Sequence, residues 1–395
     1  MFDRYVSPKM NYFAHAFARA EADKNMLVPG SDAFKQAYLT HTTTPIAKGG
    51  AAIQDNSMSN NFEVNYNASD LVSGFDLQLG AQARQYVLRS GGSLFTDYDD
   101  PIKFSQLGVY TQVQKDLFDG VVKLTGSMRY DKSQFFDGQF TPRLGGLIFL
   151  SPNQNIRFSY QTGFQNPSSQ DQYIGLDVGR AVLMGSSPDS VDRFKMSFVG
   201  SNFNQYTITG PMVMSNSLLA NEFLAGSFVP ANLDPVEPQH VMSREFGYRF
   251  NGKKVSLDVS AYWSDFSNFI AAKNVIVPMY GSLANGSALA ALAAGDFKVF
   301  SVDNNTNEKV STMGVTVGLE TKVIDKFDFG ATFSYNEMDR SNIDPNFDTG
   351  FNTPKVRTKF SLGSTELADN FAFNVSARYH NEYLWESTFL NGTIP

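Results

Sequence analysis

Ionic side chains recur at alternate positions of short, otherwise apolar stretches of this chain. In KLTGSMRYD, from Lys123 to Asp131, charged and hydroxyl side chains occupy the odd positions and mostly apolar ones the even positions. Side chains of a strand alternate between two faces, so this stretch has one polar and one apolar face. Across the chain the polar faces carry Lys123, Arg129, Arg143, Arg157, Arg249, Arg357, Arg378, Asp258, Glu320 and Asp328. Such groups are tolerated only beside water or a polar protein partner, which predicts a wet interior that holds or conducts something.

Residues that could bind a metal ion or carry out catalysis are not clustered in this sequence. The chain has no cysteine, and its four histidines, His15, His41, His240 and His380, stand singly without a metal-binding pair. We find no nucleophile elbow, phosphate loop or strand-led dinucleotide motif. The run DYDDP from Asp97 has the carboxylate density of a calcium site without its spacing, so we expect a solvated turn. The sequence predicts no cofactor, no metal and no enzyme, although a Ser, His and acidic site on a barrel stays open as a minor alternative.

Composition narrows the class of protein. The 395 residues are 42% hydrophobic with no apolar run near the roughly 18 residues that a membrane-spanning helix needs. Aromatic residues, at 14%, favour strands and interfacial belts. A net charge of -7 argues against a nucleic-acid partner, whose binding surface is basic.

Period-two patterning predicts about twelve strands. They are residues 62–67, 75–88, 107–115, 121–131, 143–150, 156–165, 245–250, 255–264, 313–321, 327–336, 356–363 and 371–380. Short turns such as LFDG, SPNQN and ADN alternate with long connections, of which the longest cover about 166–236 and 267–307. Within the second, an alanine-rich run predicts a short helix from Ala288 to Ala294.

This alternation of loop lengths is typical of outer-membrane barrels, which have short periplasmic turns and long extracellular loops. The apolar faces also end in an aromatic residue on the long-loop side, for example Tyr130, Trp263 and Tyr379. We therefore predict an all-β fold, a transmembrane antiparallel up-and-down β-barrel, with lipid outside and water inside. A secreted soluble β-protein that binds a glycan or a surface partner is the less favoured alternative.

Longer segments resemble a known family. The stretch from Gly108 to Phe149, the stretch SYQTGFQNPSSQDQY from Ser159, EFGYRFNGKKVSLDVSAYWSDFSNFI and FNTPKVRTKFSLG are together similar to the barrel of TonB-dependent outer-membrane receptors. The resemblance runs from about residue 60 to the end. It implies a 22-stranded barrel that encloses an N-terminal plug domain and imports a scarce large ligand with energy from the inner membrane.

On this resemblance we expect about twelve strands of a 22-stranded barrel, with the plug, the TonB-binding segment and the last strands outside the sequence. Residues 1–57 are expected to be an extracellular loop with partial strands, and 58–395 part of the barrel. Arg129, Arg143, Arg157 and Arg378 are expected to line the lumen and contact the plug. The expected location is the outer membrane of a Gram-negative bacterium. The expected partners are outer-membrane lipid, the TonB complex, a surface lipoprotein and a siderophore, glycan, peptide or vitamin ligand bound by the long loops. A passive porin or structural barrel of about twelve strands is the alternative.

Overall fold

The computed structural model describes residues 8–24, 26–44, 49–179, 181–200, 203–306, 308–323, 326–339, 341, 347–386 and 392–395. These residues form two compact units, 1–54 and 55–395. The first unit contains helices α1 (Pro8–Asp23) and α2 (Asp32–Thr43), and the Ser31 side chain caps α2 by accepting from the Phe34 N–H. The described part of residues 1–57 is mostly helical, and the partial strands expected there stay a prediction. Its position as an extracellular loop stays a prediction.

The second unit is mostly strand. In chain order its described strands are β1 (Met58–Asn67), β2 (Asp76–Leu88), β3 (Ile102–Leu117), β4 (Val122–Ser133), β5 (Gln139–Ser151), β6 (Gln154–Gln165), β7 (Gly175–Asp177), β8 (Val182–Met184), β9 (Lys195–Gly200), β10 (Phe203–Thr209), β11 (Leu218–Leu219), β12 (Gln239–Asn251), β13 (Val255–Ser267), β14 (Phe269–Pro278), β15 (Phe297–Thr306), β16 (Val310–Val323), β17 (Phe327–Asp339), β18 (Phe347–Asp348), β19 (Val356–Ala368), β20 (Phe371–His380), β21 (Tyr383–Trp385) and β22 (Gly392–Ile394). Its helices are α3 (Ser169–Tyr173), α4 (Ser190–Arg193), α5 (Gly210–Asn216), α6 (Ala220–Leu224) and α7 (Leu289–Ala294), with a 3-10 turn at Ser69–Leu71.

Twelve strands form one antiparallel up-and-down sheet, in the order β1-β2-β3-β4-β5-β6-β12-β13-β16-β17-β19-β20. Every predicted strand lies in this sheet, and most are longer than predicted because the backbone pairing continues past the alternating core of each strand. The sheet confirms the predicted barrel fold class. No described helix has both the length and the apolar character needed to cross a membrane.

The connections alternate as the sequence predicted. At one end of the sheet they are 68–75, 118–121, 152–153, 252–254, 324–326 and 369–370, and at the other 89–101, 134–138, 166–238, 268–309 and 340–355. The two sets overlap only in that 68–75 is longer than 134–138. The turn after β3 places Asp119 and Gly120 at φ of 54° and 85°. Phe118, just before them, is also left-handed at 52°, so aspartate and glycine favour this backbone at two of the three positions that adopt it.

The two longest connections form most of a second sheet, to which the 340–355 connection adds one short strand. Its order is β11-β14-β15-β8-β7, and β18 pairs with β14. Buried side chains from both connections, including Val182, Phe194, Val275 and Phe300, form its core. We call residues 166–238 and 268–309 the loop domain. The predicted helix lies inside it as α7, with Ala291 and Leu292 buried.

The run DYDDP is a solvated turn only in part: Asp99 and Asp100 are exposed as predicted, and Asp97 is not. Asp97, in the expected solvated turn, is 4% exposed. Its carboxylate accepts hydrogen bonds from the backbone N–H groups of Ser90, Gly91 and Gly92 and from the Ser90 hydroxyl. The carboxylate closes the 89–101 connection from inside, because three converging N–H donors satisfy a buried charge that water would otherwise solvate.

Candidate functional site

The twelve-stranded sheet has one polar face along its whole width. Arg129 of β4 lies opposite Tyr110 in β3 and Thr141 in β5, and Asp258 of β13 lies opposite Arg249 in β12. Residues paired across strands share a face, so the register carries this face from β1 to β20. All ten ionic residues singled out from the sequence lie on it.

The other face is apolar and accessible. Met128, Trp263 and Val375 expose 46%, 53% and 65% of their surface. Tyr130 and Tyr379 lie near the long-connection ends of their strands and are also exposed. A soluble protein rarely leaves an apolar surface of this extent in water, whereas a barrel wall needs it toward lipid.

Long side chains on the polar face reach across a glycine to the strand beyond. The Tyr110 ring of β3 lies over Gly80 of β2, and its hydroxyl donates to Asn65 Oδ1 of β1 at 2.5 Å. We call this arrangement a glycine bridge. It recurs with Arg129, Gly108 and Gln82, with Arg157, Gly247 and Asp258, and with Tyr262, Gly314 and Asn336.

Each of these positions requires glycine, because the crossing side chain lies too close to leave room for a Cβ. A Cβ at Gly80, Gly314 or Gly247 would lie 2.0, 2.4 or 2.6 Å from the side chain that crosses it. No real Cβ contact is that short, so any other residue would displace the crossing group and its hydrogen bond. The bridges thus join three strands at a time through side chains, in addition to the backbone ladder.

An ionic network spans the middle of the sheet. The Arg157 guanidinium donates two hydrogen bonds to Asp258, at 2.9 and 3.1 Å, and a longer one of 3.4 Å to Glu245. Arg249 donates to the same Asp258 carboxylate at 2.7 Å. Paired geometry of this kind is the strong form of charged hydrogen bond. Arg157, predicted to contact a plug, is therefore bound within the wall itself.

The other three predicted arginines differ from one another. Arg129 is bound within the wall, since it donates to Asp131 at 2.6 and 2.7 Å. Arg143 and Arg378 make no hydrogen bond or ion pair to any described residue. Arg378 also lies directly opposite Lys359. Like charges placed opposite each other repel, so this edge of the polar face is suited to an acidic partner.

The loop domain borders the sheet at its long-connection end. A crevice of about 790 Å³ there is lined by Asp137, Asp234, Glu237 and Glu308 together with Phe135, among other residues. Within the domain, burial raises the pKa of Asp303 to about 7, and the nearby Asp171 carboxylate acts in the same direction. In the part of the chain that the structure describes, no three His, Asp or Glu side chains lie close enough together to hold a metal ion.

Sequence reasoning missed the loop domain. Its central strands β14 and β15 contain NVIV and FKVFSV, which are short β-branched and aromatic runs typical of buried strands. These runs could have been read as strands. Only the tertiary structure shows that these two strands pair with each other and that β15 also pairs with β8 of the preceding connection.

Comparison with known proteins gives one family. The family model for the TonB dependent receptor-like beta-barrel matches residues 11–393. Among solved structures, the siderophore receptor PirA from Acinetobacter baumannii is 11% identical with a TM-score of 0.53, over 88% of this chain and 48% of that one. A variant of the ferric enterobactin receptor PfeA from Pseudomonas aeruginosa is 12% identical with a TM-score of 0.55, over 83% and 42%.

At these identities the likeness concerns the fold. The chain spans less than half the length of these two receptors. No curated protein sequence matches it.

The glycine bridges predict an unequal response to alanine. Gly314→Ala should displace the Tyr262 ring, break its 3.0 Å bond to Asn336 and cost about 1–2 kcal/mol of unfolding free energy. The matched control is Gly126→Ala, because a Cβ at Gly126 meets nothing within 4 Å. Urea unfolding in detergent, followed by heat-modifiable gel mobility, measures both. Equal midpoints for the two variants would contradict the bridge.

Asp303 predicts a pH dependence of the loop domain. Its raised pKa means that the folded domain holds a proton that the unfolded chain releases more readily. The stabilisation is fully present below the ordinary pKa of an aspartate and is lost as pH rises through about 7. Protease resistance of the domain should therefore fall between pH 5 and 8, and Asp303→Asn should flatten this change. A variant that keeps the full pH dependence would assign the effect to another group.

Proposed function

Because the chain belongs to the TonB-dependent receptor-like β-barrel family, we propose that it forms the wall and outer recognition region of an energy-coupled outer-membrane receptor. The receptor imports a scarce large ligand across the outer membrane of a Gram-negative bacterium. One observation carries this proposal: a membrane-type sheet whose interior face keeps unpaired charges and whose long-connection end bears a packed domain. A passive porin needs neither the unpaired charges nor the packed domain.

The unpaired charges support a folded partner inside the barrel. Arg143 and Arg378 lack carboxylates, and the Lys359 and Arg378 pair is repulsive without one. A plug domain that presents acidic groups would remove this repulsion. Arg129 and Arg157 would contribute to plug binding only by holding the wall in shape, because their guanidinium groups are already paired.

The loop domain supports selective capture. Recognition surfaces lie on loops that a rigid scaffold positions, and these loops are held by their own core. Siderophores, glycans, peptides and vitamins stay as ligand classes, and a surface lipoprotein that covers the loops fits the same proposal. Energy would reach the plug through the TonB complex.

Conductance of the receptor purified from outer membranes tests the proposal without a known ligand. We expect the wild-type protein in a planar bilayer to be closed, since a plug fills the interior. Arg378→Glu should open it intermittently, because a carboxylate there repels the acidic partner. Arg378→Lys keeps the charge and is the matched control.

Steady conductance of the wild-type protein would overturn the proposal and identify the passive porin alternative. A closed Arg378→Glu receptor, inserted in normal amounts, would overturn the role of Arg378 as a plug contact.

A further inference from the structure

The apolar face of the sheet carries charged groups at its long-connection end. The register pairs Arg244 of β12 with Trp263 of β13, and Trp263 with Met313 of β16. Asp265 lies on the same face as Trp263, two residues nearer the long connection that follows β13. Arg244 and Asp265 are therefore directed toward the membrane, where charged side chains are tolerated only near the interfaces.

A pit of about 400 Å³ opens on this face beside Arg244. Ala261 lies at its centre, because the register places this small side chain between Phe246 of β12 and Val315 of β16. Larger side chains form the walls, among them Phe246 and Trp263, which expose 58% and 53% of their surface. Since this face is directed at lipid, a hydrocarbon chain is the group that fills the pit.

Polar atoms of two aromatic side chains fix the depth of the pit in the membrane. Trp263 Nε1 donates to Asp265 at 2.9 Å, and the Tyr335 hydroxyl donates to Glu337 at 2.6 Å. Both bonds point toward the long-connection end of the sheet. Tryptophan and tyrosine place their polar ends in the headgroup layer. The mouth of the pit therefore lies at that layer, and Ala261 lies in the hydrocarbon.

Arg244 has donors left for a headgroup. It donates to Asp265 at 3.0 Å and to the Met242 sulfur, a weak acceptor, at 3.1 Å. Asp265 also accepts from Trp263 and Ser311, so three donors share its negative charge. A guanidinium carries five N–H groups, and the half-exposed side chain of Arg244 directs the remaining ones to the membrane. Its forked geometry suits phosphate, which accepts two parallel hydrogen bonds.

We propose that the pit binds a membrane lipid with a phosphate in its headgroup. One acyl chain lies in the pit against Ala261, and the phosphate accepts hydrogen bonds from Arg244. The two residues are diagonal neighbours in the register, roughly 7–8 Å apart, which one lipid molecule spans easily. The inference needs only the membrane-type sheet and does not rest on the proposed transport.

Native mass spectrometry of the intact receptor, purified in detergent, tests the site with three probes. They are dioleoyl phosphatidylglycerol, dioleoylglycerol, which lacks the phosphate, and glycerol 3-phosphate, which lacks the chains. We expect one saturable site for phosphatidylglycerol. Each of the other probes should bind at least about tenfold more weakly, because it engages only Arg244 or only the pit.

Variants of the ion pair separate a phosphate contact from a structural one. Arg244→Gln should weaken phosphatidylglycerol binding about tenfold and leave dioleoylglycerol binding unchanged. Asp265→Asn should bind phosphatidylglycerol at least as tightly as the wild type, because it releases a donor of Arg244. A purely structural ion pair would instead give parallel losses in both variants.

A variant of the pit tests the contact with the chain. Ala261→Phe should weaken the binding of both lipids about tenfold, because the ring occupies the pit. The matched control is Ala81→Phe, which adds the same ring at an exposed position between Val64 and Val109 on the same face. It should change neither affinity.

Equal affinities of the two lipids would overturn the inference, as would parallel losses in Arg244→Gln and Asp265→Asn. An Ala261→Phe receptor that binds lipid like Ala81→Phe would also overturn it. If heat-modifiable gel mobility shows that Ala261→Phe does not insert, Arg244→Gln decides alone. An open wild-type channel with intact, Arg244-dependent lipid binding would sink the proposed function alone, and a closed channel without such binding would sink the lipid site alone.

Discussion

Alignment of polar positions across twelve strands is the constraint on which the rest of the structure depends. A shift of one residue in a single strand would turn its ionic groups toward lipid and its aromatic groups toward water. Backbone hydrogen bonds alone tolerate such a shift, because every register offers a similar ladder. The glycine bridges do not, since Tyr262 reaches Asn336 only when Gly314 lies directly between them. Side chains on the wet face thus hold the register that keeps the other face apolar.

The same chain builds two kinds of apolar surface. On the apolar face of the sheet, side chains such as Val375 and Trp263 are exposed, which suits contact with lipid. In the loop domain, Phe194 and Phe300 are fully buried against each other, as in a water-soluble protein. The difference follows from the environment at each end of the strands. Segments beyond the membrane face water on all sides and must bury their apolar groups among themselves.

Charge on the polar face divides into satisfied and unsatisfied parts. One group of ion pairs lies within the sheet and is formed by Arg157, Arg249, Asp258 and Glu245. Arg143 and Arg378 make no ion pair with any described residue, and Arg84 meets only neutral oxygens. A wall that only conducted water could leave such groups solvated. Under the proposed function, Arg143 and Arg378 are the positions at which an acidic partner inside the barrel would be bound.

The sequence by itself determined the fold class, the strand positions, both faces of the sheet and the alternation of short and long connections. These follow from period-two patterning and turn residues, which are local properties of a strand. Only the tertiary structure decided that Arg157 binds Asp258 whereas Arg143 stays unpaired, that Asp97 is buried, and that two connections share one core. Each of these depends on residues far apart in the chain. Register and loop packing bring them together, and no local pattern encodes which distant partner a side chain will meet.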